Sequence, residues 1–260
     1  MRENKKIPPK AFIFISLIIA IVFVITPIDF ICAEKIQNRG LNVFIVRHAE
    51  TVGNATGVYT EENEKVITEK GYRQIDFLTE FLSEYKFDAV IVSPKIRAIN
   101  TILPYLKKTN TIAEIWPEVA ESHYFFTKQK GDRRLMRGSR IILDSKARPF
   151  FKFNSRQDGY FYKDTGYNNA LARIVKACNR IKERFGQSGK TVLIVAHSGS
   201  SAILIDVLEN KEPIGRHFLA NTNLAYMKQS PEDEFRLVRF SISPERELAA
   251  NLQSAPVPVN

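Results

Sequence analysis

Apolar residues follow two different spacings along this chain. Runs of mostly apolar positions, typical of strands buried on both faces, occur at 41–46, 89–92 and 191–196, and a further short strand is predicted at 111–115. Elsewhere apolar residues recur at helical spacing, which predicts helices at 68–82, 97–106, 167–185 and 200–208. Strands that alternate with helices in this way predict an α/β fold, a three-layer αβα sandwich around a mostly parallel sheet.

Two later segments predict how the folded domain ends. Residues 225–228 and 235–240 flank a turn-rich stretch and predict a closing pair of strands. Residues 244–260 contain three prolines and few apolar side chains, so we expect a flexible tail there. The predicted catalytic domain therefore covers residues 34–243.

Three chemically active side chains lie where predicted strands end. His48 follows the first strand, Arg97 follows the second after a short turn, and His197 follows the strand at 191–196. In open α/β sheets, ligands bind beyond the carboxyl ends of the strands. We therefore expect these residues to meet at one edge of the sheet, although they are far apart in sequence.

Residues 122–165 interrupt the alternation of strands and helices. The segment carries eleven Lys or Arg against four Asp, a net formal charge of +7, with aromatic residues between the charges. Because it connects a strand to a helix, it is predicted to be a basic lid inserted over the strand ends. It could contact substrate, approach a membrane surface or be solvated surface only. If it contacts substrate, Arg133, Arg134 and Arg137 should favour substrates with a second anionic group.

The sequence predicts that residues 1–33 are a signal peptide or a membrane anchor. They would form an apolar helix that precedes the folded domain. An apolar run at 11–28 follows four basic residues and is about long enough to span a membrane as a helix. Two outcomes stay open, because the segment could remain as an anchor or be cleaved near Ala33. In both cases the basic residues favour the cytoplasmic side, so the rest of the chain is expected to be extracytoplasmic.

The net charge of the chain favours one class of binding partner but does not identify a single partner. A formal net charge of +10 favours anionic partners such as phosphate esters, anionic lipid, acidic glycans or nucleic acid. The expected export argues against nucleic acid. The two cysteines, one ending the apolar run and one at a helical core position, indicate neither a disulfide framework nor a metal site.

The group formed by Arg47, His48, Arg97 and His197 suits phosphoryl transfer. Guanidinium groups bind phosphate oxygens through paired hydrogen bonds. Two nearby cations disfavour protonation of an imidazole, which leaves a histidine neutral and nucleophilic. Such a ring could accept a phosphoryl group while the arginines stabilise its charged oxygens. A carboxylic acid is then needed to protonate the leaving oxygen.

Three segments resemble the motifs of one known family. The stretch VRHAET with Asn54 resembles the RHGE(T/S)xxN signature of the histidine phosphatase superfamily, also called phosphoglycerate mutase-like. VSPKIRAINTI and VLIVAHSGS resemble its SPLxRAxxTA and VSHGG segments. The resemblance covers roughly residues 41–121 and 167–242, with the motifs in the family's order.

This resemblance implies which residues hold the phosphoryl group. His48 would be the nucleophile that becomes phosphorylated, and Arg47 and Arg97 would bind the phosphoryl oxygens with help from Asn54. Ser198 stands where the family often has glycine and is expected to add to the phosphate site. The substrate would be a phosphorylated small molecule or a phosphorylated glycan or lipid headgroup.

The resemblance also implies how the reaction is completed. His197 would hydrogen-bond the transferring group, and Glu121 would be the proton donor. Glu118 is a competing candidate, because both carboxylates lie in the same short stretch. The family needs no metal and no other cofactor.

Two observations favour the phosphatase branch of that family over the glycolytic mutases. Residues 55–65 lack the tryptophan and glycine pattern of glycolytic mutases, and the expected export also disfavours a glycolytic role. The sequence therefore predicts an exported or membrane-anchored phosphatase that hydrolyses phosphate monoesters through phosphohistidine. The alternatives are a non-catalytic anion-binding relic of the fold and a phosphoglycerate mutase.

Overall fold

The structure, a computed structural model, describes residues 40–254. The segment predicted at 1–33 as an anchor or signal, with its apolar run at 11–28, lies outside the described residues, as do residues 255–260.

Nine strands and seven α-helices occur within residues 40–254. The strands are β1 Asn42–Arg47, β2 Ala89–Val92, β3 Ala113–Ile115, β4 Arg137–Arg140, β5 Phe151–Lys152, β6 Tyr160–Tyr162, β7 Thr191–Ala196, β8 Leu224–Gln229 and β9 Phe235–Ile242. The helices are α1 Val52–Thr56, α2 Glu69–Ser83, α3 Ile96–Thr109, α4 Tyr124–Thr127, α5 Tyr167–Phe185, α6 Ser198–Leu208 and α7 Pro244–Ser254.

The central sheet has seven strands in the order β5-β3-β2-β7-β1-β8-β9. The five strands from β5 to β1 are parallel, whereas β8 and β9 pair antiparallel at one edge. At the centre, Val195 of β7 lies opposite Val46 of β1 and Val92 of β2. The mostly parallel α/β sheet predicted from the sequence is confirmed.

Alternate side chains of the central strands enter two different apolar cores. Val43 and Ile45 pack into the core that contains α5 and α6. Phe44 and Val46 pack into the core that contains α2 and α3. Because successive strand residues point to opposite faces, continuous apolar runs are what a sheet covered by helices on both sides requires.

Helix α3 extends beyond the end that the sequence predicts. The predicted helix ends at Leu106, shortly after Pro104, yet the helix continues to Thr109, and Asn110 follows it in the left-handed conformation, with φ of 52°. Proline removes one backbone hydrogen bond and favours a kink. Tyr105 and Leu106, just beyond it, are buried in the second core, and this packing offsets the lost bond.

The segment at 122–165 contributes to the sheet as well as to the region above it. Its strand β5 pairs with β3 and becomes the edge of the central sheet, while β4 and β6 form a separate two-stranded sheet. The basic segment is therefore partly built into the core fold, a feature that the lid prediction did not include.

The flexible tail predicted at 244–260 is wrong for the part that the structure describes. Residues 244–254 form α7, which packs against α2. Leu248 lies half-buried on the core of α2 and α3 and thereby helps to attach this helix. The proline at 244 begins the helix, where its missing N–H costs nothing.

No helix within the described range is long and apolar enough to cross a membrane.

Candidate active site

The carboxyl ends of β1, β2 and β7 open into a cavity of about 870 Å³. Six of the predicted site residues line it: Arg47, His48, Asn54, Arg97, Glu121 and Ser198. The seventh, His197, lies beneath the wall and is fully buried. The structure therefore brings together residues that lie as far apart in sequence as Arg47 and Ser198.

His48 is buried and held in one tautomer by its two neighbours. Its Nδ1 lies 2.8 Å from the carbonyl oxygen of Ala49, and its Nε2 lies 3.1 Å from Nε of Arg97. Because the arginine Nε–H can only donate, Nε2 is the acceptor and Nδ1 carries the proton. Burial, followed by the charges of Arg97 and Arg47, lowers the pKa of His48 well below its usual range. The ring is therefore neutral, with its lone pair on the nitrogen beside Arg97.

Arg97 lies in the first turn of α3 and is almost completely buried. Its Nε donates to His48, and its Nη2 lies 2.9 Å from Oε1 of Glu64. Glu64 belongs to the turn before α2 and also lines the cavity. The guanidinium thus spans an imidazole and a carboxylate, and a phosphate group would compete with that carboxylate.

Arg47 and Asn54 also line the cavity. Nη1 of Arg47 donates to the carbonyl oxygen of Leu219 at 2.9 Å, while its buried Nε has no hydrogen-bond partner among residues 40–254. Oδ1 of Asn54 accepts from the backbone N of Thr51 and from Nδ2 of Asn221. These bonds leave the Asn54 amide nitrogen as the part able to donate to an anion.

The ring of His197 lies next to that of His48, with centroids 5.1 Å apart. Its Nε2 is 2.7 Å from Oγ of Ser93, and its buried Nδ1 has no hydrogen-bond partner within the described part of the chain. Burial, followed by the charge of Arg97, lowers the pKa of His197 well below its usual range. Nδ1 is therefore the ring nitrogen of His197 that remains free to make a further hydrogen bond.

Glu121 and Glu118 occupy different environments. The carboxylate of Glu121 lines the cavity and accepts the backbone N–H groups of Gly199 and Ser200, at 2.9 and 3.0 Å. Burial raises the pKa of Glu121, although these two bonds oppose the shift. Glu118 is fully buried, where it contacts Tyr162 and Lys176, and it is absent from the cavity wall. Of these two carboxylates, only Glu121 is placed to exchange a proton with a ligand in the cavity.

Residues of the basic segment also reach the cavity, but not the ones expected. His123, Phe126 and Asp164 line it, and Phe126 stacks on Phe218 at the rim with ring centroids 5.9 Å apart. The three arginines expected to face substrate, Arg133, Arg134 and Arg137, are exposed and lie outside its lining. The last two pair with neighbours of their own segment, Asp132 and Tyr160.

Sequence reasoning missed several residues that shape the site. Asn221 donates to the carbonyl oxygen of His48 as well as to Asn54, and Ser93 holds His197. Ser93 directly follows β2, so its place at a strand end could have indicated it. Glu64 and Asn221 lie in loops, and no periodic pattern marks them. Within residues 40–254, no group of three or more His, Cys, Asp or Glu could hold a metal ion.

Comparison with solved structures supports the fold. The alpha-ribazole phosphatase from Shigella flexneri has a TM-score of 0.56 at 18% sequence identity, covering 77% of this chain and 96% of that chain. A mutant phosphoserine phosphatase from Entamoeba histolytica, in complex with phosphoserine, has a TM-score of 0.55 at 15% identity, with the same coverage of each chain. At such low identity the likeness concerns the fold alone.

Comparison of sequences identifies the family. The adenosylcobalamin/alpha-ribazole phosphatase of Salmonella typhi is 32% identical over 166 residues, which are 64% of this chain and 78% of that protein. The family model of the histidine phosphatase superfamily (branch 1) matches residues 43–242, a range that includes every residue of the site described above. This chain therefore belongs to the histidine phosphatase superfamily (branch 1).

Proposed function

We propose that this protein is a phosphatase that hydrolyses phosphate monoesters through a phosphohistidine on His48. The family supports a phosphatase, and the observation that carries the mechanism is the neutral His48 ring with its Nε2 lone pair at the cavity. The substrate class proposed is a phosphorylated small molecule or a phosphorylated glycan or lipid headgroup.

The first step transfers the phosphoryl group to the enzyme. The Nε2 lone pair of His48 attacks phosphorus, and the bond from phosphorus to the leaving oxygen breaks. Glu121, whose pKa is raised by burial, gives its proton to that oxygen. Attack requires the phosphoryl group to replace Arg97 as the partner of Nε2.

The second step regenerates the enzyme. The Glu121 carboxylate takes a proton from water, the water oxygen attacks phosphorus, and the phosphorus–nitrogen bond breaks. Inorganic phosphate leaves, while His48 is again neutral and Glu121 again carries its proton. The same two groups therefore serve both steps.

Four side chains stabilise the phosphoryl group electrostatically while it is transferred. Arg47 and Arg97 supply guanidinium donors, the unpartnered Nδ1 of His197 supplies another hydrogen bond, and Asn54 adds its amide. Once the phosphoryl group has replaced the contacts of Arg97 with His48 and Glu64, these groups meet the charge that develops on its three oxygens. Glu64 has to leave Arg97 when the phosphoryl group binds, because two anions would otherwise share one guanidinium.

Hydrolysis of phenyl phosphate by the full chain tests this proposal. The wild-type protein should release phosphate, and His48→Ala should abolish this release, because no other group in the cavity replaces its nucleophile. His217→Ala is the control, since this histidine packs on Phe240 and is absent from the cavity wall. A wild-type protein that binds phosphate without turnover would instead favour the non-catalytic relic, and normal turnover by His48→Ala would exclude the mechanism.

We also propose that residues 11–28 place the enzyme outside the cytoplasmic membrane, as an anchored or released protein. The proposal is supported by the length of the apolar run and by the basic residues before it. Protease added to intact cells or spheroplasts should digest the domain from outside. Protection of the domain until the membrane is lysed would contradict this location.

A further inference from the structure

A second cavity, of about 560 Å³, adjoins the first one. The two share Glu64, Lys95 and Arg97 in their walls, but His48 and Arg47 line only the first. The wall of the second cavity is otherwise mixed, with Ile141 and Phe161 as apolar members. A ligand whose phosphoryl group lies over His48 could therefore extend past Arg97 into this space.

Lys95 stands at the junction of the two cavities, and it forms no ion pair with any residue in the described range. Its ammonium lies 5.8 Å from the centre of the Phe161 ring, and no carboxylate within residues 40–254 forms an ion pair with it. The nearby acids are already engaged, because Glu64 pairs with Arg97, Asp164 pairs with Arg173, and Glu61, which also lines the second cavity, pairs with Lys65. The amine is thus a partly buried cation that lacks a counter-ion.

The surroundings of this amine make the lack of a counter-ion costly. Burial, followed by the charge of Arg97, lowers the pKa of Lys95, while Glu64 and Asp164 oppose the shift. An anion that entered the second cavity would remove this penalty, since an opposite charge at close range favours the charged amine.

We propose that Lys95 binds a second anionic group of the substrate in this adjoining cavity and so determines specificity for phosphate esters that carry a further carboxylate or phosphate. The inference rests on the proposed function, because the first anionic group is the phosphoryl group over His48. It also replaces Arg133, Arg134 and Arg137 as the source of such a preference. Ile141 and Phe161 would pack against the part of the substrate that joins the two anionic groups.

Binding of non-hydrolysable ligands tests the inference separately from catalysis. The probes are 3- and 4-carboxybenzylphosphonate and their carboxamide counterparts, which have the same shape but lack the second charge. Calorimetric titration of the full wild-type chain should show that a carboxylate ligand binds about tenfold more tightly than its carboxamide. Lys95→Met should remove this preference and leave binding of the carboxamide ligands nearly unchanged.

Two further variants control for net charge and for folding. Lys108→Met removes one surface charge that pairs with Glu80 far from both cavities, and it should keep the full preference. Lys95→Arg retains the cation and should keep most of the preference. Equal affinity of the wild-type chain for both ligand types, or no binding of either, would overturn the inference.

One alternative role for Lys95 gives a different result. If the amine only receives the Glu64 carboxylate when phosphate displaces it from Arg97, Lys95→Met will weaken the carboxylate and carboxamide ligands equally, which overturns the inference. The hydrolysis of phenyl phosphate reports on the proposed function by itself. A protein that prefers the carboxylate ligands but does not hydrolyse the ester would refute the proposed catalysis and retain the subsite.

Discussion

At the scale of single residues, the site depends on two side chains whose pKa values are shifted in opposite directions by burial. His48 is neutral because it is buried beside Arg97, and Glu121 holds its proton more tightly because it is buried. A nucleophile needs a free lone pair and an acid needs a proton, so burial in one cavity prepares both groups.

The role of Glu121 predicts a dependence on the leaving group. Glu121→Gln should lower kcat/KM for glycerol phosphate by roughly 10²- to 10⁴-fold, the usual contribution of a general acid. The loss for 4-nitrophenyl phosphate should be much smaller, because nitrophenolate leaves without a proton. The ratio kcat/KM is the right measure, since it excludes the later hydrolysis of phosphohistidine. Equal losses for both substrates would contradict the assignment.

Glu118→Gln is the matched control for that experiment. Glu118 lies in a buried network with Tyr162 and Lys176, away from the cavity. Glu118→Gln should lower the free energy of unfolding. Any effect that it has on kcat/KM should be the same for glycerol phosphate and 4-nitrophenyl phosphate.

The sequence predicted that residues near the ends of strands meet at the site, but it missed Ser93, which directly follows β2, and the loop residues Glu64 and Asn221. His48, Arg97 and His197 could be placed because the end of an apolar run fixes where the next side chain stands. Glu64 reaches Arg97 from a turn whose path depends on tertiary packing. The arginines of the basic segment were expected to contact substrate. A charged side chain in such a segment stays in solvent, however, unless a buried partner forms an ion pair or hydrogen bond with it.

At the scale of elements, the central strands were predicted closely and the ends of helices less well. The strands at 89–92 and 191–196 and the helix at 167–185 have the predicted bounds, because dense apolar patterns leave little choice of register. The course of α3 beyond Pro104 and the existence of α7 depend on contacts with distant parts of the chain. Local propensity therefore gave the wrong answer at both places.

Attachment of α7 through Leu248 predicts a measurable loss of stability. Leu248→Ala should lower the free energy of unfolding by about 1–2 kcal/mol, less than for a fully buried leucine because the side chain is half-buried. Arg246→Ala, at an exposed position of the same helix, should change it by at most about 0.5 kcal/mol. Urea titration measures both variants, and wild-type stability of Leu248→Ala would mean that the tail is loosely attached.

At the scale of the whole molecule, burial of neutral histidines makes stability depend on pH. His48 and His197 have folded-state pKa values well below 6.5, so the unfolded chain binds more protons as the pH falls through that value. Stability conferred by a neutral buried histidine is therefore present above about pH 6.5 and is lost progressively below it.

His197→Asn tests this dependence. Each such histidine contributes a slope of about 1.4 kcal/mol per pH unit below its unfolded pKa, so the variant should lose stability less steeply than the wild type on acidification. Urea unfolding measured from about pH 7 to about pH 5 covers the window, because the pKa of a histidine in an unfolded chain is about 6.5. Identical slopes for the two proteins would contradict a neutral buried His197.

The central claim is that His48 receives the phosphoryl group, and trapping of the intermediate tests it most directly. The full chain is mixed with 4-nitrophenyl phosphate, quenched in alkali, where phosphohistidine is stable, and digested for mass spectrometry. The account predicts one phosphoryl group on the peptide that contains His48, lost on mild acid treatment and absent from His48→Ala. A phosphoryl group on any other residue, or turnover that continues in His48→Ala, would contradict it.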